Sequence, residues 1–275
     1  MRWSARRVTI GAVAGLALVS GLLALWYQFV RLPARAPTPR SVPVISGPAG
    51  AEERLLFALS DPAGDDRGPG TYQYPRDAMF VPGLFDLRRF TVTYDARSIH
   101  FRLTFGALTN PWGAPEGFYH QRVDLYLDTE PGAGRTAPLR PGANVRFPAR
   151  HAWDYLVRCA PWKGSRVEPG AAAVAVAVED GKTLHLTVPR TALPARPSRR
   201  WRYYVLVGGY DAFGPDEYRP VTSSGGRWVF GGGQDSNLDP NVLDVLAPRF
   251  GRHSQSRQLA VAAGSPAMLY PVGGR

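Results

Sequence analysis

The chain has 275 residues, with 33 Lys and Arg against 22 Asp and Glu, for a net charge of +11. Residues 1–43 hold six arginines and no acid, so the rest carries 27 bases and 22 acids, a net of only +5. No basic run with interleaved aromatics occurs there, so no nucleic-acid partner is expected. Cys159 is the single cysteine, which rules out an intrachain disulfide.

Residues 1–7 form a basic tail with Arg2, Arg6 and Arg7. Residues 8–30 contain no charged side chain, and Gln28 is their only strongly polar one. About 23 apolar residues suffice to cross a hydrocarbon core of roughly 30 Å as a helix. The positive flank predicts a cytoplasmic N-terminus and an extracytoplasmic remainder at the cell membrane. The alternative is a cleaved signal and a secreted chain, with Ala34-Arg35-Ala36 as the candidate cleavage site. Residues 31–52 carry Pro33, Pro37, Pro39, Pro43 and Pro48. Such a stretch reads as a semi-rigid extended linker.

Residues 53–275 read as one all-β domain. An apolar run, Leu55 to Leu59, is the first strand, and Phe85 to Tyr94 the next. Ile99 to Phe105 alternates apolar and polar residues, as do Val123 to Asp128 and Leu184 to Val188. In the second of these, Asp124, Tyr126 and Asp128 would face away from the core. Trp153 to Arg158, Ala172 to Glu179 and Trp201 to Val207 complete the set. Asp180-Gly181 between two strands is a hairpin signal, and Asp95-Ala96-Arg97 is a turn. No long helical period follows the apolar segment. The 30 glycines and 26 prolines fit long structured loops, and the whole reads as an antiparallel β-sandwich with immunoglobulin-like layering.

The first strand runs into Asp61-Pro-Ala-Gly-Asp-Asp-Arg-Gly-Pro-Gly-Thr-Tyr-Gln-Tyr-Pro75. Carboxylates this close repel one another unless a cation or water lies among them. Asp61, Asp65 and Asp66, the Gly64 carbonyl and Asp86 from the next strand are candidate ligands for a structural calcium ion, which takes six to eight oxygens. A solvated acidic turn is the other reading.

Four blocks in order resemble a known family. They are Asp61 to Pro75 with Phe80-Val-Pro-Gly-Leu-Phe-Asp-Leu87; Asn110-Pro-Trp-Gly113 through Gln121 to Thr129; Gly209-Tyr-Asp-Ala-Phe-Gly-Pro-Asp216 with Arg219-Pro-Val221; and Phe230-Gly-Gly-Gly233 with Asn241 to Leu246. The chain resembles the C-terminal domain of glucodextranase, a DOMON-like β-sandwich of the carbohydrate-binding type. The resemblance implies a non-catalytic module that binds a glucan or a cell-envelope polysaccharide. The alternative is a docking scaffold for a secreted glucan-active enzyme (a glycoside hydrolase) or surface-layer protein. Some DOMON relatives hold haem between a Met and a His, which draws attention to Met79 and Met268.

Aromatic rings stack on the C–H faces of sugars, yet in a sandwich most of them fill the core. Trp112 and Trp162 lie among Pro and Gly in loops. Tyr210, Asp211, Phe213, Asp216 and Arg219 combine rings with hydrogen-bonding groups, so these seven are the candidate ligand-binding residues. No nucleophile elbow or zinc-protease motif occurs, and the histidines are scattered, so no enzymatic activity is expected.

Overall fold

The computed structural model describes residues 52–274, apart from 194, 215–216, 235–237 and 262–263. The basic tail, the apolar segment expected to span a membrane, and the linker as far as residue 51 lie outside the described residues. Among the described residues, no helix is long and apolar enough to cross a membrane.

The first three strands form an antiparallel meander: β1 (Arg54–Ser60), β2 (Leu87–Tyr94) and β3 (Ser98–Phe105). The turn between β2 and β3 is closed by Asp95, whose Oδ1 accepts the amides of Arg97 and Ser98, each at 2.7 Å. Then follow β4 (Gln121–Asp128), the short β5 (Val145–Arg146), β6 (Tyr155–Cys159) and β7 (Ser165–Glu168). Next come β8 (Ala172–Glu179), β9 (Thr183–Pro189) and β10 (Arg202–Gly209). The two-residue strands β11 (Asp244–Val245), β12 (Ala267–Met268) and β13 (Val272–Gly273) follow, with a single helical turn, α1 (Gln255–Gln258), between the first two.

Hydrogen bonds join the strands in the order β1-β2-β3-β9-β8-β7-β6-β4-β10-β11, with β13 also on β10. Every strand pairing in this sheet is antiparallel, whereas β5 pairs with β12 in parallel. The layers meet through β8. Its first residues pair with β7 and its last with β9, so one strand passes from one layer to the other. The Asp180-Gly181 hairpin forms as its sequence predicts. Both residues have positive φ, 52° and 65°, as a turn with right-handed strand twist requires.

Between the layers, Phe90, Val92, Phe101 and Leu103 pack against Val123, Leu125, Val157, Val205 and Val207. Phe57 of β1 reaches across to Tyr203 of β10, with ring centroids 5.1 Å apart. Each fully buried side chain of this size contributes about 1.5–3 kcal/mol.

One sequence expectation fails in an informative way. All eight residues of β4 are buried, including Arg122, Asp124 and Asp128, so Asp124, Tyr126 and Asp128 do not face solvent. The reason is a second core on the outer face of this layer. Tyr126, Leu156, Tyr204 and Leu206 pack there under Phe147, Trp153, Tyr218 and Val242 from the long loops. A layer covered on both faces loses the simple in–out alternation.

Candidate functional site

Two constellations stand out, one acidic and one aromatic. The acidic one begins where β1 ends. Asp61 and Asp65 come from the loop after β1, Asp86 immediately precedes β2, and Asp244 opens β11. Asp61, Asp65 and Asp244 each place a carboxylate oxygen within 4.8 Å of the others. Unit charges at that distance repel by roughly 3 kcal/mol per pair at an effective dielectric near 20.

The backbone holds the cluster in place. Asp61 Oδ1 accepts the Ala247 amide at 2.9 Å, Asp244 Oδ2 accepts the Leu87 amide at 2.7 Å, and Asp86 Oδ2 accepts the Gly64 amide at 2.9 Å. Each of these carboxylates has a second oxygen that no N–H or O–H donor of the protein reaches, as has Asp65 at Oδ1, and the Asp61 and Asp244 carboxyls lie close enough to share a proton. Arg88 is the counter-ion, 2.6 Å from Asp86. Burial, reinforced by the neighbouring carboxylates, drives the Asp61 and Asp244 carboxyls upward. Burial likewise pushes Asp65 and Asp86 up to about 6, the latter with help from Asp66.

Around this centre the acidic loop is stitched to the distal part of the chain. Gly68 donates to the Leu243 carbonyl at 2.7 Å, and the Tyr72 hydroxyl donates to the Pro240 carbonyl at 3.0 Å. Gln255 of α1 donates to the Asp65 and Gly68 carbonyls and accepts the Val245 amide. A cavity of about 390 Å³ lies between Pro62–Gly70 and Pro248–Ser256, with Asp65 in its wall.

The aromatic constellation lies around the start of β4. The Trp112 ring meets Tyr119 at 4.3 Å, His120 at 5.9 Å and Trp228 at 6.2 Å. Tyr119 in turn packs on Tyr210 at 5.7 Å, and Phe80 lies 5.8 Å from Trp228. Trp112 is 45% exposed, while Tyr119 and Trp228 are half-buried. Beneath the rings, His120 Nε2, the Tyr210 hydroxyl and Arg219 Nε have no hydrogen-bond partner in the protein. Arg219 is fixed by donating to the Trp228 and Tyr210 carbonyls at 2.6 and 2.9 Å. Gly209 leaves room for this arrangement, since a Cβ there would come within 2.5 Å of the Phe230 ring. Burial, aided by the Arg219 charge, lowers the His120 pKa to about 4, so the ring is neutral near pH 7.

A family model describing the SLH-like C-terminal binding module of glucodextranase matches residues 56–271. The chain belongs to this family. No curated protein matches it.

The first and last of the four motif blocks meet in space. Gln73 of the first pairs with Gly231 of the last, and Asp61 and Asp244 close the same acidic centre. Of the expected metal ligands, Asp61 and Asp65 converge with Asp244, while Asp86 lies beside them with its Oδ2 taken up by Gly64 and Arg88. The Asp66 carboxylate accepts the Tyr74 hydroxyl, and Gly64 contributes its amide to Asp86. Asp244 was not anticipated as a member; 183 residues separate it from Asp61, and only its place in the fourth block marked it.

Of the expected ligand-binding residues, Trp112, Tyr210 and Arg219 share the aromatic constellation. Tyr119, His120 and Trp228 join them, and the Tyr-His pair just ahead of β4 was the available signal. Trp162 is 47% exposed on another loop, where its amide donates to Glu116 at 3.0 Å. Tyr210 itself is buried. Asp211 Oδ1 accepts the Phe213 amide at 3.0 Å, leaving the Phe213 ring 97% exposed. Asp216 lies outside the described residues. Beneath that loop, Glu217 pairs with Arg122 and, at 2.5 Å, with Arg158, both buried in the sheet.

Proposed function

We propose that this chain is a non-catalytic module that holds an α-glucan or a related cell-envelope polysaccharide at the cell surface, tethered to the membrane through residues 8–30. The observation that carries the reading is the exposed Trp112 ring, braced by Tyr119 and Trp228. A flat, exposed and rigidly braced apolar ring is the kind of surface on which a sugar stacks its apolar face. Membership of a binding-module family supports it. Calcium in this reading is structural, since the carboxylates and the rings share no residue.

Affinity electrophoresis through gels containing soluble α-glucan, with depletion onto cell-wall material, tests the reading. The intact chain should be retarded and the Trp112→Ala variant should run freely. No binding to either material or across a broad glycan array would overturn it.

The 97% exposed Phe213 ring favours a second reading, a scaffold that docks a secreted glucan-active enzyme or a surface-layer protein. Aromatic anchors of this kind are common at interface centres. Cross-linking from position 213 in cells should then give one discrete protein partner.

A further inference from the structure

We propose that Asp61, Asp65 and Asp244, with Asp86 beside them, bind one hard divalent cation, calcium, through the first three carboxylates, and that this ion closes the fold by joining the start of the domain to its distal strand β11. The four carboxylates come from three places in the sequence, with Asp61 and Asp244 on segments 183 residues apart. Asp244 is fully buried, Asp86 is 1% exposed and Asp61 is 8% exposed. Each of the three spends one oxygen on a backbone amide, and no N–H or O–H donor of the protein reaches the other.

Buried carboxylate oxygens without partners are rare in folded proteins, because a buried polar group needs a hydrogen bond and a buried charge needs a counter-charge. Arg88 supplies one positive charge against four carboxylates. Protons or a cation must supply the rest. Several features favour the cation. Oxygen is the only donor type in the cluster: Asp61 and Asp244 each keep one oxygen clear of the backbone amides and Asp65 offers its carboxylate, so loop carbonyls and water would complete the six to eight that calcium takes. Zinc would call for His or Cys, and magnesium retains several waters and uses one or two carboxylates. Asp65 also lines the neighbouring cavity beside Gly64, Gly68 and Gly70, so the cluster touches solvent on that side.

The inference is independent of the glucan reading, and its test does not involve sugar. Equilibrium dialysis of the purified full chain against radioactive calcium should show one ion bound per chain. Melting should occur at higher temperature in 1 mM calcium than in chelator. Asp244→Asn should abolish binding. Because that variant alters a fully buried side chain on which folding depends, Asp65→Asn at the cavity wall serves beside it and should weaken binding at least tenfold. Magnesium at equal concentration should not displace the bound calcium. An unchanged melting curve in chelator, no retained calcium, equal displacement by magnesium, or wild-type affinity in Asp65→Asn would each overturn the proposal.

Discussion

Asp244 Oδ2 accepts the Leu87 amide at 2.7 Å, a contact between residues 157 positions apart that ties the edge strand β11 to the start of β2. The bond places the second Asp244 oxygen among the carboxylates of the loop after β1. The same side chain therefore sets strand position and completes the acidic centre.

The first prediction is a sign reversal at Asp65. Its carboxyl is raised to about 6 in the folded protein, above the ordinary value near 4 in an unfolded chain. Stability from such a group is present below the unfolded value and lost as pH rises through about 6. In chelator, Asp65→Asn should therefore gain on the wild type between pH 4 and pH 7, by on the order of 1 kcal/mol after allowance for its exposure. In calcium the same substitution should be the less stable of the two. Denaturant midpoints at four pH values, with and without calcium, check both halves.

Trp112 and Trp153 separate binding from folding. Trp112 is 45% exposed, whereas Trp153 is fully buried and its Nε1 donates to the Ala137 carbonyl at 2.9 Å. Trp112→Ala should remove glucan retention and cost under about 1 kcal/mol of stability. Trp153→Ala should cost about 3–5 kcal/mol. Glucan binding and urea unfolding measured on both variants test the pair.

The strands of the inter-layer core were legible because one face is apolar and the period is two. Ile99 to Phe105 and Leu184 to Val188 show this, and Asp180-Gly181 announced its turn through residues that tolerate positive φ. The outer core was not legible. Asp124 looks solvent-facing in any alternating run, and its burial depends on Arg122 at 2.8 Å and the Tyr218 hydroxyl at 2.8 Å, contacts that only the folded loops create. The acidic centre was half legible for a similar reason. Asp61 and Asp65 are neighbours in sequence, but nothing local joins them to Asp244.

His120 should act as an acid-sensitive element. Burial and the Arg219 charge lower its pKa to about 4, against about 6.5 when unfolded. A base depressed on folding contributes stability above the unfolded value, and that contribution is lost as pH falls towards the folded one. The stability of wild type relative to His120→Gln should therefore decline from pH 6.5 to pH 4 and be flat above pH 7. Parallel curves across that range would mean that the ring is solvated.

Glu217 gives the last test, because it joins the buried sheet to the loop that carries Phe213. Its carboxylate meets both Arg122 and Arg158, and the Asp211 amide donates to the Glu217 carbonyl at 3.0 Å. Removing one member of such a buried network leaves the guanidinium charges less compensated and costs about 3 kcal/mol or more when both partners are fully desolvated. Glu217 keeps 15% of its side chain exposed, so water can partly replace it. Glu217→Gln should then cost about 1–2 kcal/mol in urea unfolding. Hydrogen exchange should rise at the amides of Asp211 and Glu217, while those of β4 stay protected. If Phe213 is a docking anchor, cross-linking from that loop should weaken in the same variant while glucan retention through Trp112 persists. Loss of both together would show that the loop and the aromatic constellation form one surface.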